Sequence, residues 1–159
     1  MEIERKFWID RLPDLPEVRH SEIEQAYLCT APVELRIRRR RELDTGEVTY
    51  RLCIKSIGTL SRHEVETPLS REQYEELESM LDQPPIRKEY HTYRLEDGRI
   101  LECSIVDNGV FSYAEVEFPT EEEALSWQPP DFLGKETTYE KGVSMREYWN
   151  KRKNTEWIP

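Results

Sequence analysis

Apolar and polar residues alternate along most of this chain. Ile3 and Phe7 are interleaved with Glu2, Glu4 and Lys6, and Val33, Leu35 and Ile37 with Glu34, Arg36, Arg38 and Arg40. Leu52 and Ile54 alternate with Arg51, Cys53 and Lys55, and Val116 and Phe118 with Glu115 and Glu117. A period of two is that of a β-strand, whose successive side chains point to opposite faces. It predicts strands over Glu2–Ile9, Glu22–Cys29, Val33–Arg41, Val48–Ser56, Arg62–Pro68, Lys88–Leu95, Arg99–Val106 and Phe111–Phe118. Asp44-Thr-Gly46, Glu96-Asp-Gly98 and Asp107-Asn-Gly109 supply turns between several of them.

Helices interrupt the series. Ser70 precedes Gln73 at capping-box spacing and opens a segment to Leu81 that carries Tyr74 and Leu77 on one side. Thr120 and Glu123 repeat the spacing for Thr120–Trp127, which Pro129-Pro130 ends. A last short helix is predicted over Ser144–Lys153. Eight strands with few helices point to a mainly β fold, a sandwich or a closed barrel.

The charged faces bear on that choice. Each face alone reads as a solvated side of an antiparallel sheet. Together they carry runs of acid or base rather than the Thr, Ser and Gln of ordinary exposed faces. A barrel lined by charge and covered outside by helices accounts for both halves of the pattern. At 159 residues the chain is expected to form a single domain spanning 1–159.

Composition then narrows the chemistry. Charged residues make up 35% of the chain and the net charge is −10, which argues against a nucleic-acid binder or docking on anionic lipid. A local basic cluster inside an acidic shell still accommodates a small anion. Three dispersed cysteines and a charged N-terminus without an apolar run point to the cytoplasm. No Gly-rich phosphate loop occurs, and His20, His63 and His91 read as scattered surface groups rather than zinc ligands. Arginines and lysines suit phosphate oxygens, and clustered glutamates suit Mg²⁺ or Mn²⁺.

Glu2-Ile-Glu-Arg-Lys6 resembles the ExExK strand of the triphosphate tunnel metalloenzymes, the CYTH superfamily. Further segments follow in the family's order: Gln25-Ala-Tyr-Leu28, Leu35-Arg-Ile-Arg38, Lys55-Ser56, Leu60-Ser-Arg-His-Glu-Val-Glu66, Ile86-Arg-Lys88, Glu115-Val-Glu-Phe118 and Gly134-Lys-Glu-Thr-Thr138. The resemblance implies an eight-stranded antiparallel β-barrel, a tunnel with a few flanking helices, that binds a triphosphate-containing small molecule. It implies substrate binding by Lys6, Arg36, Arg38, Lys55, Arg62 and Lys88. It implies metal binding by Glu2, Glu4, Glu64, Glu66, Glu115 and Glu117, with Glu2, Glu4, Glu66 and Glu117 catalytic.

The chain departs from the family pattern in three places. Tyr90 stands where a basic residue is usual, Ser104 where an aspartate is usual, and Glu140-Lys-Gly142-Val-Ser-Met145 replaces an acidic and Arg-Tyr-containing stretch. Arg51, on the face of Lys55, is a candidate replacement cation. The expected function is a metal-dependent triphosphatase acting on inorganic triphosphate or another triphosphate. A non-catalytic polyphosphate- or nucleotide-binding protein and a class IV-type adenylate cyclase are the alternatives, and a homodimer is left open.

Overall fold

In the computed structural model, which describes residues 1–152, nine strands form one sheet in the order β5-β1-β9-β8-β7-β2-β3-β4-β6. They are β1 (Glu2–Trp8), β2 (Glu17–Cys29), β3 (Val33–Glu42), β4 (Val48–Ser56), β5 (Ser61–Arg62), β6 (Glu64–Pro68), β7 (Ile86–Arg94), β8 (Ile100–Val106) and β9 (Phe111–Glu117). All pairings are antiparallel.

The barrel closes through one stretch of chain. Glu2 lies opposite Arg62 on β5, and Lys55 of β4 lies opposite Glu64 on β6. The strand predicted over Arg62–Pro68 is thus two pieces around His63, because the segment leaves β1 to pair with β4. The predicted eight-stranded tunnel is otherwise the one observed. β2 starts at Glu17, five residues before the predicted Glu22. Val18-Arg-His-Ser21 shows no apolar alternation, and backbone pairing with β7 extends the strand there. The β8–β9 turn forms where the sequence marked it, with Asp107, Asn108 and Gly109 at positive φ of 44°, 59° and 100°.

Among the described residues three helices pack on the barrel, α3 at one end of it. In α1 (Arg71–Glu78) the Ser70 hydroxyl accepts from the Gln73 amide, and the Gln73 side chain accepts from the Ser70 amide, completing the capping box. Tyr74 is buried and its ring lies 5.1 Å from that of Tyr50 on β4. In α2 (Glu121–Ser126) Thr120 caps the Glu123 amide, while the Glu123 carboxylate turns to Arg99. α3 (Met145–Arg152) buries Met145, Tyr148 and Trp149 against one end of the barrel, near Phe111 and Tyr27. Lys153, the predicted end of this helix, lies outside the described residues.

Fully buried Ile37, Ile86, Leu101, Val106 and Val116 each contribute roughly 1.5–3 kcal/mol of burial. Beyond the barrel, residues 134–138 return along the free half of β1. Trp8 donates to the Lys135 carbonyl at 2.9 Å, Gly134 to the Trp8 carbonyl at 2.8 Å and Thr137 to the Lys6 carbonyl at 2.8 Å. This strap hides an edge that would otherwise be open for pairing. Arg5, pointing outward, binds Glu136 at 2.7–2.8 Å and the carbonyls of Ala124 and Trp127, tying strap and α2 to β1. No helix among the described residues is long and apolar enough to cross a membrane.

Candidate active site

The inward positions of the strands enclose a cavity of about 260 Å³. Alternation sends Glu2, Glu4 and Lys6 into it from β1, and Glu115 and Glu117 from β9. β3 sends in Arg36 and Arg38, β4 Lys55, β5 Arg62, β6 Glu64 and Glu66, and β7 Lys88. Every residue expected at the site therefore lines one space. Arg51 does not: it is exposed on β4, opposite Pro68 at the end of β6, and is no replacement cation.

The order of strands sorts the charges. Carboxylates come mainly from neighbouring β6, β1, β9 and β8, and cations mainly from neighbouring β7, β2 and β3. On the acidic side, one ligand atom from each of Glu2, Glu4 and Glu117 lies within 4.8 Å of the others. Burial opposes the charge on Glu4, yet Lys6, Lys55 and Arg62 hold its carboxyl far below the usual range. Burial and the neighbouring carboxylates Glu102, Glu4 and Glu2 push Glu117 up to about 7. Burial and Glu4 push Glu115 up to about 8.

Four of the six predicted phosphate ligands already hold carboxylates: Lys6 lies 3.2 Å from Glu4 and Arg38 3.3 Å from Glu66. Lys55 donates to Glu2 at 2.8 and 3.0 Å and lies 3.1 Å from Glu64. Arg62 reaches Glu2 at 3.1 Å, Glu34 at 3.1 Å and Glu4 at 3.6 Å. On the basic wall the cations also crowd one another. Burial, together with Arg40 and Arg36, lowers Arg38 to about 10. Burial, together with Arg36, Arg38 and Lys6, lowers Lys88 to about 7, despite Glu115. The buried Nε atoms of Arg36 and Arg40 lack hydrogen-bond partners. Crowded cations with idle donors are arranged for an anion.

The cavity also holds residues that the expected site omitted, among them Arg19, Gln25, Glu34, Arg40, Tyr113 and Arg146. Glu34 and Arg40 share the alternating face of Arg36 and Arg38, so their signal was present. Arg19 lies in the part of β2 that lacks apolar alternation, and Arg146 enters from α3, where strand periodicity says nothing. At the departures, Tyr90 donates to Glu102, and the Arg40 guanidinium stands 4.8 Å from the Tyr90 ring centroid. A cation from β3 thus occupies the neighbourhood where the family places one on β7. The histidines are also placed otherwise than expected: His63 is exposed, but His20 and His91 stack together, and His91 is buried.

The acidic side suits a hard divalent cation. Its donors are all carboxylate oxygens, and the buried Glu4 Oε1 has ion-pair contacts to Lys6 at 3.2 Å and Arg62 at 3.6 Å but no hydrogen bond.

No protein-family model matches the chain. It is 31% identical over 142 residues to the inorganic triphosphatase of Nitrosomonas europaea, covering 88% of this chain and 91% of that protein. It superposes on the crystal structure of the inorganic triphosphatase NE1496 with a TM-score of 0.66 at 27% identity, covering 100% of this chain and 97% of that one. The fold is shared with a putative adenylyl cyclase from Hippeastrum, described as having a dominant triphosphatase activity. That match has a TM-score of 0.52 at 18% identity over 79% of this chain and 83% of that one. The chain belongs to the family of the Nitrosomonas europaea inorganic triphosphatase.

Proposed function

We propose that the chain is a divalent-metal-dependent triphosphatase whose substrate is inorganic triphosphate, bound along the cavity between the two charged walls. One observation carries this reading: a crowded basic wall with idle guanidinium donors faces a compact carboxylate cluster across a single small cavity. Its relative in Nitrosomonas europaea bears the name inorganic triphosphatase.

Arg36, Arg38, Arg40 and Lys88 hold the phosphate oxygens and align the chain for in-line attack. Lys6, beside Glu4 at 3.2 Å, spans the two walls. Glu2, Glu4 and Glu117 hold Mg²⁺ or Mn²⁺, with Glu64, Glu66 and Glu115 nearby on the same side. When bound, such an ion offsets charge that develops on the phosphate oxygens. Water attacks the terminal phosphorus, the bond to the bridging oxygen breaks, and a carboxylate (Glu66 or Glu117) takes the water proton. The products are phosphate and pyrophosphate.

The test is incubation with inorganic triphosphate, ATP or thiamine triphosphate, each with Mg²⁺ or Mn²⁺, following phosphate, pyrophosphate and cyclic AMP. Equimolar phosphate and pyrophosphate from inorganic triphosphate, lost in Glu4→Gln, is the expected result. Cyclic AMP from ATP would favour a cyclase instead. Thermal stabilisation by triphosphate without any product would leave a binding protein.

A further inference from the structure

On the outer wall of the barrel, β2 and β7 set two imidazoles face to face. His20 and His91 are direct cross-strand partners, with ring centroids 3.9 Å apart and planes 21° from parallel. Their sequence neighbours Arg19 and Tyr90 line the cavity, so alternation turns both histidines to the opposite face. A bulge between Glu17 and Arg19 brings the Glu17 carboxylate onto Nδ1 of His91.

We propose that Glu17, His20 and His91 form a second cation site, separate from the cavity and selective for a borderline divalent transition metal such as Zn²⁺. One ligand atom from each residue lies within 4.8 Å of the others. His91 is only 8% exposed, and its Nε2 has no hydrogen-bond partner. The Glu89 carboxylate lies 3.9 Å from that nitrogen, on the side where a metal-bound histidine finds the group that orients it. The Glu17–His91 hydrogen bond uses Nδ1 and leaves the buried Nε2 idle. A cation would take the place of the proton between Glu17 and Nδ1 of His91, leaving Nε2 as the N–H on the side of Glu89, and a turn of the His20 ring out of the stack would supply a further nitrogen.

The donor sets of the two sites separate their ions. Carboxylates alone, as at Glu2, Glu4 and Glu117, suit Mg²⁺ or Mn²⁺, whereas two imidazoles and one carboxylate suit Zn²⁺, Co²⁺ or Ni²⁺. Glu17 is exposed and His20 half-buried, which leaves room for water in a fourth position. Cys103 stands opposite His91 on β8 but is fully buried in the apolar core and belongs to no ligand cluster with it.

The test is a calorimetric titration of Zn²⁺ into the full chain held in saturating Mg²⁺. One equivalent is expected to bind in the wild type and in Glu4→Gln, with affinity falling at least about tenfold in His20→Gln. Absence of binding under saturating Mg²⁺, unchanged affinity in His20→Gln, or loss in Glu4→Gln would each overturn the site. Imidazole proton resonances of the wild type give an answer independent of any variant. Zn²⁺ should shift His20 and His91 and leave His63 in place; a shift of His63 alone, or of none, rejects the proposal.

Discussion

Arg36, Arg38 and Arg40 take consecutive inward positions on one strand, where burial and neighbouring cations disfavour the charge on Arg38 and Arg40 while, against the same burial, Tyr27, Cys53 and Glu34 sustain that on Arg36. Their value lies in binding, so Arg38→Ala should lose substrate affinity by about 2–5 kcal/mol while keeping metal affinity. Steady-state KM and direct metal titration read the two separately, and an unchanged KM would remove Arg38 from the phosphate site. Glu117 makes the opposite point about cost. Its carboxyl lies near 7 when folded, against 4.5 ordinarily, because burial and like charges disfavour ionisation. Between those values the folded state holds more protons than the unfolded chain, so stability falls as pH rises through that window and is then constant. Glu117→Gln therefore raises the Tm of the metal-free protein at pH 8, and the gain closes below about pH 5. Screening at this partly exposed side chain reduces the effect to about 1 kcal/mol, or about 2–4 °C. Melting curves in chelator across pH measure it, and a Tm lower than wild type at pH 8 would show that the carboxylate is stabilising.

At the level of elements, the strap over residues 134–138 holds the half of β1 that carries Lys6. A Cβ on Gly134 would meet the Trp8 carbonyl oxygen at 2.6 Å, a backbone atom with little freedom to retreat. Gly134→Ala should destabilise by about 1–3 kcal/mol through overpacking. It should also speed exchange of the Trp8 amide, whose acceptor is the Lys135 carbonyl. An unchanged Tm and unchanged amide protection would mean that the strap shifts freely. α3 acts at the end of the barrel, where Met145 and Arg146 complete the cavity while Tyr148 and Trp149 anchor the helix. It follows the Glu140–Met145 stretch that departs from the family pattern, and it brings an arginine inward, 3.9 Å from Glu34.

The whole molecule carries a net charge of −10 and still gathers cations on one internal wall. Low-dielectric surroundings make that wall respond to multivalent anions more than to ionic strength in general. Sulfate should therefore raise the Tm of the metal-free protein more than sodium chloride at equal ionic strength, and inorganic triphosphate should do so at far lower concentration. Thermal-shift titrations decide this. Equal responses to sulfate and chloride would mean that the wall is already neutralised by its own carboxylates.

The alternation of Glu2, Glu4 and Lys6 with Ile3 and Phe7, repeated on β3, β4 and β9, was enough by itself to determine a charged inner face and an apolar outer one. Strand periodicity is local, so the sequence displays it directly. It also sufficed to name the residues that line the cavity from those strands. Tertiary structure alone decided which charges meet. Lys55 and Arg62 lie far from Glu2 in sequence, and closure of the barrel through β5 and β6 pairs them with it, leaving Arg36, Arg38, Arg40 and Lys88 as the crowded wall. The same holds for His20 and His91, whose spacing of 71 positions says nothing, since only the β2–β7 register stacks them. Register depends on the backbone pairing of distant strands, and that is settled by the closed sheet as a whole rather than by any one segment.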